Sequence, residues 1–342
     1  MKTVCIKDIA KESGVSITTV SLILNNKAST ISEETIKRVQ SIAKEMGYRP
    51  NAIASSLKTK KTKLIGYVMP SIENSFFSEI AKKVEKIIEK KGYSIVICSS
   101  DDKFEKDYNL IEMLSSRMID LLLYCPSVEA LEKDNLTKII SLLHSIDIPY
   151  IIVDRQIEGD LHDKVVCDDR KGALDAVEYL IASGHERIAC ITGPLSMSSA
   201  SNRFFGYQEA LKKNRIPYDS SLIRYGAFDY ASGYEAGKSL ARSDATAIFV
   251  CNDLMAYGAI KALKESGKSV PEDVSLIGYD DLFFSALLDT PLTTVHQDID
   301  ALGKAIGNNI LSILEDNVRE IPIQVIPPSL VIRSTVKRRK NK

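Results

Sequence analysis

The sequence predicts an α/β protein with two lobes of parallel sheet, preceded by a small all-α head. From Leu64 onward, short apolar runs alternate with helical segments, which is the pattern of βαβ units. Seven such runs, in two rounds of the pattern, indicate two similar lobes. The first 48 residues hold three short helical segments instead. A length of 342 residues allows two or three compact units of this kind.

The composition is that of a globular protein, with 44% apolar and 26% charged residues. No apolar run approaches the roughly 20 residues that span a bilayer. The first residues do not resemble a secretory signal, so we expect a cytoplasmic protein. The six cysteines are far apart and form no CxxC pair or Cys/His cluster. The sequence therefore predicts no metal, no cofactor and no disulfide framework.

Charge is distributed unevenly along the chain, although the net charge is zero. Residues 1–63 contain 12 Lys/Arg and 5 Asp/Glu, which leaves 33 and 40 for the remainder. A basic head on an acidic body indicates contact with a polyanion, or simply a solvated basic face. Charge alone does not decide between the two.

The head has the pattern of a helix-turn-helix motif. Helices are predicted over about Ile6–Ser13 and Ile17–Asn25, with Gly14 in the turn and Ser16 as the N-cap of the second helix. A third helix follows a cap at Ser32. The second helix is polar on its outer side, so it suits a DNA major groove. A generic three-helix bundle is the alternative.

The candidate DNA contacts fall into two groups. Lysines supply phosphate contacts, which give affinity without sequence information. Residues of the second helix and its cap face the bases. The candidate residues of the head are Lys2, Lys7, Ser16, Ile17, Thr18, Ser21, Leu22, Asn25 and Lys27.

A linker is predicted over residues 49–63. Pro50 stops any continuing helix. The segment Asn51–Leu57 has the length of one short helix, and Lys58–Lys63 is polar and basic. A helix this short is marginal alone, so it is expected to order only against a partner.

Several segments closely resemble the head and hinge of the lactose/galactose repressor (LacI/GalR) family. They are IKDIAKESGVSITTVS (Ile6–Ser21), LN (Leu24–Asn25), GYRPNAIA (Gly47–Ala54) and Leu57. The resemblance extends to about Thr335. It implies a transcriptional repressor that binds a pseudo-palindromic operator as a homodimer. It also implies that the hinge residues Asn51, Ala54 and Leu57 contact DNA, with Leu57 wedged between base steps in the minor groove.

One departure from the family concerns operator sequence. Many members carry Arg or His where this chain has Leu22. Leu cannot make a bidentate contact to guanine, so the operator cannot be copied from relatives.

The resemblance also implies a domain organisation. Residues 1–48 form the helix-turn-helix head, 49–63 the hinge helix and linker, and 64–342 an effector-binding and dimerisation core. This core has the two-lobed, type I periplasmic-binding-protein-like fold. Its N-lobe covers about 64–160 plus 296–325, and its C-lobe about 161–293 plus 326–336.

Polar and aromatic side chains follow most of the predicted strands. Ligands of open α/β sheets bind beyond the carboxyl ends of the strands. Carboxylates, amides and guanidinium groups suit sugar hydroxyls, and aromatic faces cover the C–H faces of a sugar ring. Singly, each residue has a plain structural interpretation as cap, core, surface-pair, turn or loop residue. The candidate ligand-binding residues are Asn74, Phe76, Phe77, Asp154, Arg155, Arg203, Phe228, Asn252, Asp280 and Gln297.

This set most resembles the ligand residues of ribose-binding members of the type I periplasmic sugar-binding proteins, and the whole chain resembles ribose operon repressors. Purine-binding family members carry a second arginine where this chain has Met197, which argues against a purine. The resemblance implies a ribose or related aldose effector that releases the repressor from DNA. The alternative is a catabolite-control-type regulator that answers to a phosphoprotein or a phosphorylated metabolite.

An enzyme is disfavoured. The sequence has no GxSxG elbow, P-loop, HExxH or GxGxxG motif at a strand–helix turn. The four histidines are scattered. Asp154, Asp169 and Asp280 remain the one set from which a catalytic carboxylate pair could be drawn.

Overall fold

The computed structural model describes residues 4–25, 31–48, 61–116, 119–157, 164–318 and 322–339. The chain divides into two compact units, Met1–Thr62 and Lys63–Lys342. Among the described residues, no helix is long and apolar enough to cross a membrane. Within the same part of the chain, no group of three His, Cys, Asp or Glu is placed to hold a metal ion.

The head consists of helices α1 (Ile6–Ser13), α2 (Ile17–Leu24) and α3 (Glu33–Glu45). Gly14 ends α1 at φ +67°, a conformation that glycine adopts without strain. Ser16 and Ser32 cap α2 and α3, each accepting a hydrogen bond from the backbone N–H three residues on. These helix starts agree with the sequence prediction.

The head core is small and apolar. Ile9 of α1, Val20 and Ile23 of α2, and Val39 of α3 are at most 1% exposed. Leu24 is half-buried and packs against this core. Ile23 is the more deeply buried of the two because the i+3 position from Val20 faces α1 and α3.

Two six-stranded sheets form the body. The strands of the first sheet are β1 (Leu64–Met69), β2 (Ser94–Ser99), β3 (Leu121–Tyr124), β4 (Tyr150–Val153), β5 (Lys164–Cys167) and β11 (Gln324–Ile326). They lie in the order β11-β5-β4-β3-β1-β2, and every pair is parallel. Helices α4 (Ser75–Ile88), α5 (Phe104–Ser116), α6 (Lys133–Ser145) and α11 (Ile299–Glu315) pack in this lobe.

The second sheet repeats the plan. Its strands are β6 (Ile188–Thr192), β7 (Ile223–Tyr225), β8 (Ala247–Val250), β9 (Ser275–Asp280), β10 (Thr293–His296) and β12 (Ser329–Val331). The order is β12-β10-β9-β8-β6-β7, with β12 antiparallel to β10 and the other pairs parallel. Its helices are α7 (Asp169–Ala182), α8 (Ser198–Lys213), α9 (Tyr230–Leu240) and α10 (Asp253–Glu265).

The boundary between the lobes differs from the sequence prediction. The C-lobe was expected from about residue 161, but β5 pairs with β4 and β11 and so belongs to the first lobe. The crossover therefore follows Cys167. Val165 and Val166 bury against the first sheet, and that burial assigns the strand.

The buried carboxylate of Asp253 holds the second lobe together. Its Oδ2 accepts from the Leu282 backbone N at 2.9 Å and from the Ser285 hydroxyl, and its Oδ1 accepts from the Thr294 hydroxyl at 2.7 Å. Asp253 thereby ties the start of α10 to the segment after β9 and to β10.

We expect Asp253→Ala to lower the free energy of unfolding by about 3 kcal/mol or more, because it removes a shared acceptor from three buried donors. Of these, the Ser285 hydroxyl also contacts the Tyr257 hydroxyl at 2.7 Å. Urea unfolding of the full chain measures this. Asp175→Ala is the matched control, since its carboxylate is 38% exposed and pairs with Lys171 on the surface. Its loss is expected to stay below about 1 kcal/mol. Equal losses in both variants would contradict the role given to Asp253.

Candidate functional site

The outer face of α2 is available for contact. Lys7, Ile17, Thr18 and Leu22 are exposed, as are Ser16 and Asn25. Ile17 and Leu22 are large apolar side chains, 49% and 37% exposed, so they are accessible to a partner.

Three of the candidate residues also take part in hydrogen bonds that stabilise α2 itself. The Ser16 hydroxyl caps α2 through the Thr19 N–H at 3.0 Å. The Asn25 amide donates to the Ser21 carbonyl at 2.7 Å, and Ser21 is half-buried rather than exposed as expected. The remaining candidates, Lys2, Lys27, Asn51, Ala54 and Leu57, lie outside the described residues.

In the body, the structure brings all ten predicted ligand residues to one cavity. The empty space among these residues is about 300 Å³, open solvent included, so the enclosed part of the cavity is small. Met197 and Ser199 complete its lining. We refer to these twelve residues as the cleft. They are Asn74, Phe76, Phe77, Asp154, Arg155, Met197, Ser199, Arg203, Phe228, Asn252, Asp280 and Gln297.

Parallel strands explain why these residues meet. Asn74 follows β1, Asp154 and Arg155 follow β4, and Gln297 follows β10. Asp280 is the last residue of β9. Carboxyl ends of parallel strands lie at one edge of a sheet, so both lobes present their strand ends to the cleft.

Two cleft amides are also helix caps. Asn74 Oδ1 accepts from the Phe76 N–H at 3.1 Å at the start of α4. Asn252 Oδ1 accepts from the Met255 N–H at 2.9 Å, and its Nδ2 donates to the Phe228 carbonyl at 2.9 Å. Asn74 and Asn252 therefore both cap a helix and line the cleft, and the capping bonds hold their amide groups in place.

Three residues of the cleft have a positive backbone φ. Asp154, Phe228 and Asp280 have φ values of +65°, +62° and +106°, in the region that favours glycine. Such conformations cost about 1–3 kcal/mol each and are common where a fold serves a ligand site. Gly193 lies so close to the Phe228 ring that a Cβ would come within 2.3 Å of it. All three of the residues with positive φ line the cavity.

The two arginines are held by different partners. Arg155 Nη1 donates to Asp102 Oδ1 at 2.6 Å and to the Pro126 carbonyl at 2.8 Å. Arg203 donates through Nε to Asp169 at 2.7 Å and through Nη1 to the Cys251 carbonyl at 2.6 Å. Both side chains are 4% exposed, so their charges depend on these partners.

Burial changes the pKa values of the cleft carboxylates. Desolvation raises the pKa of Asp154 and raises that of Asp280 well above its usual range, while nearby Arg203 opposes both shifts. Asp280 Oδ1 accepts from Gln297 Nε2 at 2.8 Å. Within the described part of the chain, Gln297 Oε1 and Arg155 Nε are buried without a hydrogen-bond partner. These atoms leave hydrogen-bonding capacity for a polar ligand.

Sequence reasoning missed two supporting residues. Asp102 was not a candidate, although it lies just beyond β2 and strand-end position was the signal used for the others. Asp169 was considered only as a catalytic carboxylate, yet it does not line the cavity and pairs with Arg203. Ser199 also lines the cavity, four residues before the predicted Arg203.

Fold and site together define a class of protein: a helix-turn-helix head joined to a two-lobed α/β body with a polar cleft between the lobes. Residues 5–51 match the model of the bacterial regulatory proteins of the lacI family, and residues 177–336 match a periplasmic binding protein-like domain. The HTH-type transcriptional repressor PurR of Histophilus somni is 36% identical over 335 residues, which is 97% of this chain and 98% of that protein. The chain therefore belongs to the lacI family: it is a DNA-binding transcriptional repressor and not an enzyme.

Two solved structures are informative. The lac repressor dimer bound to operator and the anti-inducer ONPF matches with a TM-score of 0.85 and 29% identity, covering 98% of this chain and 100% of that one. A LacI family regulator from Enterococcus faecium with bound ribose matches with a TM-score of 0.72 and 28% identity, covering 81% and 100%.

Proposed function

We propose that this repressor binds a pseudo-palindromic operator as a homodimer and is released by a small neutral aldose, with D-ribose as the first candidate. The observation that carries the proposal is the cleft, where the ten residues chosen from the sequence meet in one small polar cavity. A repressor of this kind acts on DNA in the cytoplasm, and we expect this chain there.

The charge of the cleft favours a neutral ligand. Two guanidinium groups, those of Arg155 and Arg203, line the cleft. Four carboxylates accompany them, namely Asp102, Asp154, Asp169 and Asp280. No excess positive charge is left for a phosphate, which carries a charge of about −1.5 to −2 near neutral pH. Sugar hydroxyls, in contrast, donate to carboxylates and accept from guanidinium groups.

The choice between an aldose and a purine rests on Met197 and on the polar set. Met197 is buried and apolar at the position where purine-binding members carry arginine, so it offers no donor to a purine ring. The relatives named PurR make a purine the second ligand to test. The Enterococcus faecium regulator with bound ribose supports the aldose.

Calorimetric titration of the full chain tests the ligand. We expect D-ribose to bind at one site per chain and D-ribose 5-phosphate to bind at least about tenfold more weakly, because its phosphate meets buried carboxylates. The panel includes other aldoses, hypoxanthine and guanine.

The other results of the titration would each change a different part of the proposal. Binding of another aldose keeps the mechanism and changes the sugar, whereas tight binding of hypoxanthine or guanine rejects the aldose. Silence across the panel favours the catabolite-control-type alternative. Preference for the phosphorylated sugar contradicts the charge argument.

A further inference from the structure

Asp169 stands directly behind the cleft arginine. It is the first residue of α7, immediately after the chain crosses from β5 into the second lobe. Its side chain is 5% exposed and lines no part of the cavity. It bonds to the Arg203 side chain, which does line the cavity.

Three contacts fix the Arg203 guanidinium. Nε donates to Asp169 Oδ1 at 2.7 Å, and Nη1 donates to the Cys251 carbonyl at 2.6 Å. The plane of the group lies over the Tyr279 ring, with Cζ 3.8 Å from the ring centroid. An arginine held along one edge and one face presents its remaining N–H groups in a single direction.

We propose that Asp169 is a positioning residue of the effector site, which holds Arg203 in its ligand-binding orientation and keeps it from pairing closely with Asp280. This inference rests on the proposed function, because the ligand concerned is the aldose of the cleft.

Asp169 and Asp280 are both placed to pair with the Arg203 guanidinium. Arg203 Nη1 already lies 3.4 Å from Asp280 Oδ1, a long contact. Without Asp169, a buried guanidinium would have Asp280 as its nearest carboxylate and would move toward it, since an uncompensated buried charge is costly. Arg203 and Asp280 would then satisfy each other, and both would be withdrawn from the sugar.

Protonation of Asp169 is expected to act in the same direction as Asp169→Asn, because both leave a neutral acceptor opposite Arg203. Burial raises the pKa of Asp169 to about 6, against the lowering influence of Arg203. Arg203, Tyr279, Cys167 and Asp154 face it from the surrounding elements. As the pH falls through about 6, Asp169 loses its charge, and its hydrogen bond with Arg203 weakens. Affinity for the sugar is therefore expected to fall on the acid side.

The test compares Asp169→Ala and Asp169→Asn with the wild type by D-ribose titration at pH 7.5 and pH 5.5. Asp169→Ala is expected to weaken binding at pH 7.5 by about tenfold or more, because a charge-assisted hydrogen bond is lost. Asp169→Asn keeps an acceptor of the same size, so its loss is expected to be several-fold smaller. It is also expected to reduce the difference between the two pH values, since the remaining shift comes from Asp154 and Asp280.

Asp107→Asn is the matched control, because Asp107 is equally buried but bonds to Tyr124 and Ser127 in the other lobe. Its ribose affinity is expected to stay within about twofold of the wild type. Wild-type affinity in Asp169→Ala overturns the proposal. So does an Asp169→Asn variant that matches Asp169→Ala in affinity and the wild type in pH dependence.

A ligand-free readout separates this inference from the proposed function. In ¹⁵N spectra, the Arg203 Nε–H signal is expected to be protected from exchange in the wild type, retained in Asp169→Asn and lost in Asp169→Ala. Persistence of the signal in Asp169→Ala overturns the positioning role. If no aldose binds the wild type while the signal behaves as expected, the aldose is wrong and the positioning of Arg203 stands.

Discussion

Replacing Asp280 by Ala is expected to abolish the response of the repressor to its sugar while leaving operator affinity nearly unchanged. Asp280 is 3% exposed and lies between Gln297 Nε2, at 2.8 Å, and Arg203. Its removal deletes the acceptor for sugar hydroxyls and leaves the buried guanidinium with less compensation. A loss of about 100-fold or more in D-ribose affinity follows from such a buried charged contact.

Two measurements check this expectation: calorimetry with D-ribose, and the ribose dependence of binding to an operator selected by the wild-type protein from random DNA. Asp281→Asn is the control, because Asp281 is the next residue but pairs with Arg333 and His296 outside the cleft. It is expected to respond like the wild type. An Asp280→Ala variant with wild-type sugar dependence would remove Asp280 from the ligand site.

The parts of the fold that the sequence predicted are those with strong local signals. Helices α2 and α3 begin directly after the predicted caps Ser16 and Ser32, and α1 ends at the turn residue Gly14. Both signals are local, because a cap bonds to a backbone N–H three residues on and glycine tolerates a positive φ. The apolar run that begins at Leu64 forms strand β1 (Leu64–Met69), which is buried from Ile65 onward. Local chemistry suffices where few distant residues compete.

The short strands could not be predicted in the same way. β5, β7, β11 and β12 contain three or four residues each, and several carry charged or polar side chains. Such segments become strands because a neighbouring strand offers its free edge, as β4 does for β5. Which strand edges are free is decided only when the sheet assembles. This is why the sequence placed the start of the C-lobe near residue 161, before β5, instead of after it.

The cleft was predictable for a topological reason. Strand-end residues of parallel sheets converge whatever the details of packing, so Asp154, Asn252 and Gln297 could be chosen from strand order and resemblance alone. The strained φ of Asp280 and the pairing of Arg203 with Asp169 were not predictable. Both depend on which side chains fill the space behind the cleft, and the sequence separates these partners by 34 residues or more.

Leu22→Asp is expected to weaken operator binding by about 100-fold or more while leaving D-ribose affinity unchanged. Leu22 is 37% exposed on α2, on the face proposed to enter the major groove, so the substitution perturbs the head core little. A carboxylate placed there meets the phosphate field of DNA, and like charges in an interface cost several kcal/mol. Titration of the selected operator by fluorescence anisotropy measures the loss.

The control for this variant carries the same change in charge on another helix. Gln40→Glu adds one negative charge on the exposed side of α3 and keeps a good helix former. It is expected to weaken operator binding only several-fold, through the general loss of positive field. Equal losses in the two variants would mean that α2 does not approach the DNA.

Head and body are separate compact units, so each variant is expected to lose one function and keep the other. Leu22→Asp should still bind the sugar but not the operator, and Asp280→Ala should still bind the operator but not the sugar. A variant that failed in both would indicate that the two units depend on each other for folding, which the separate cores argue against.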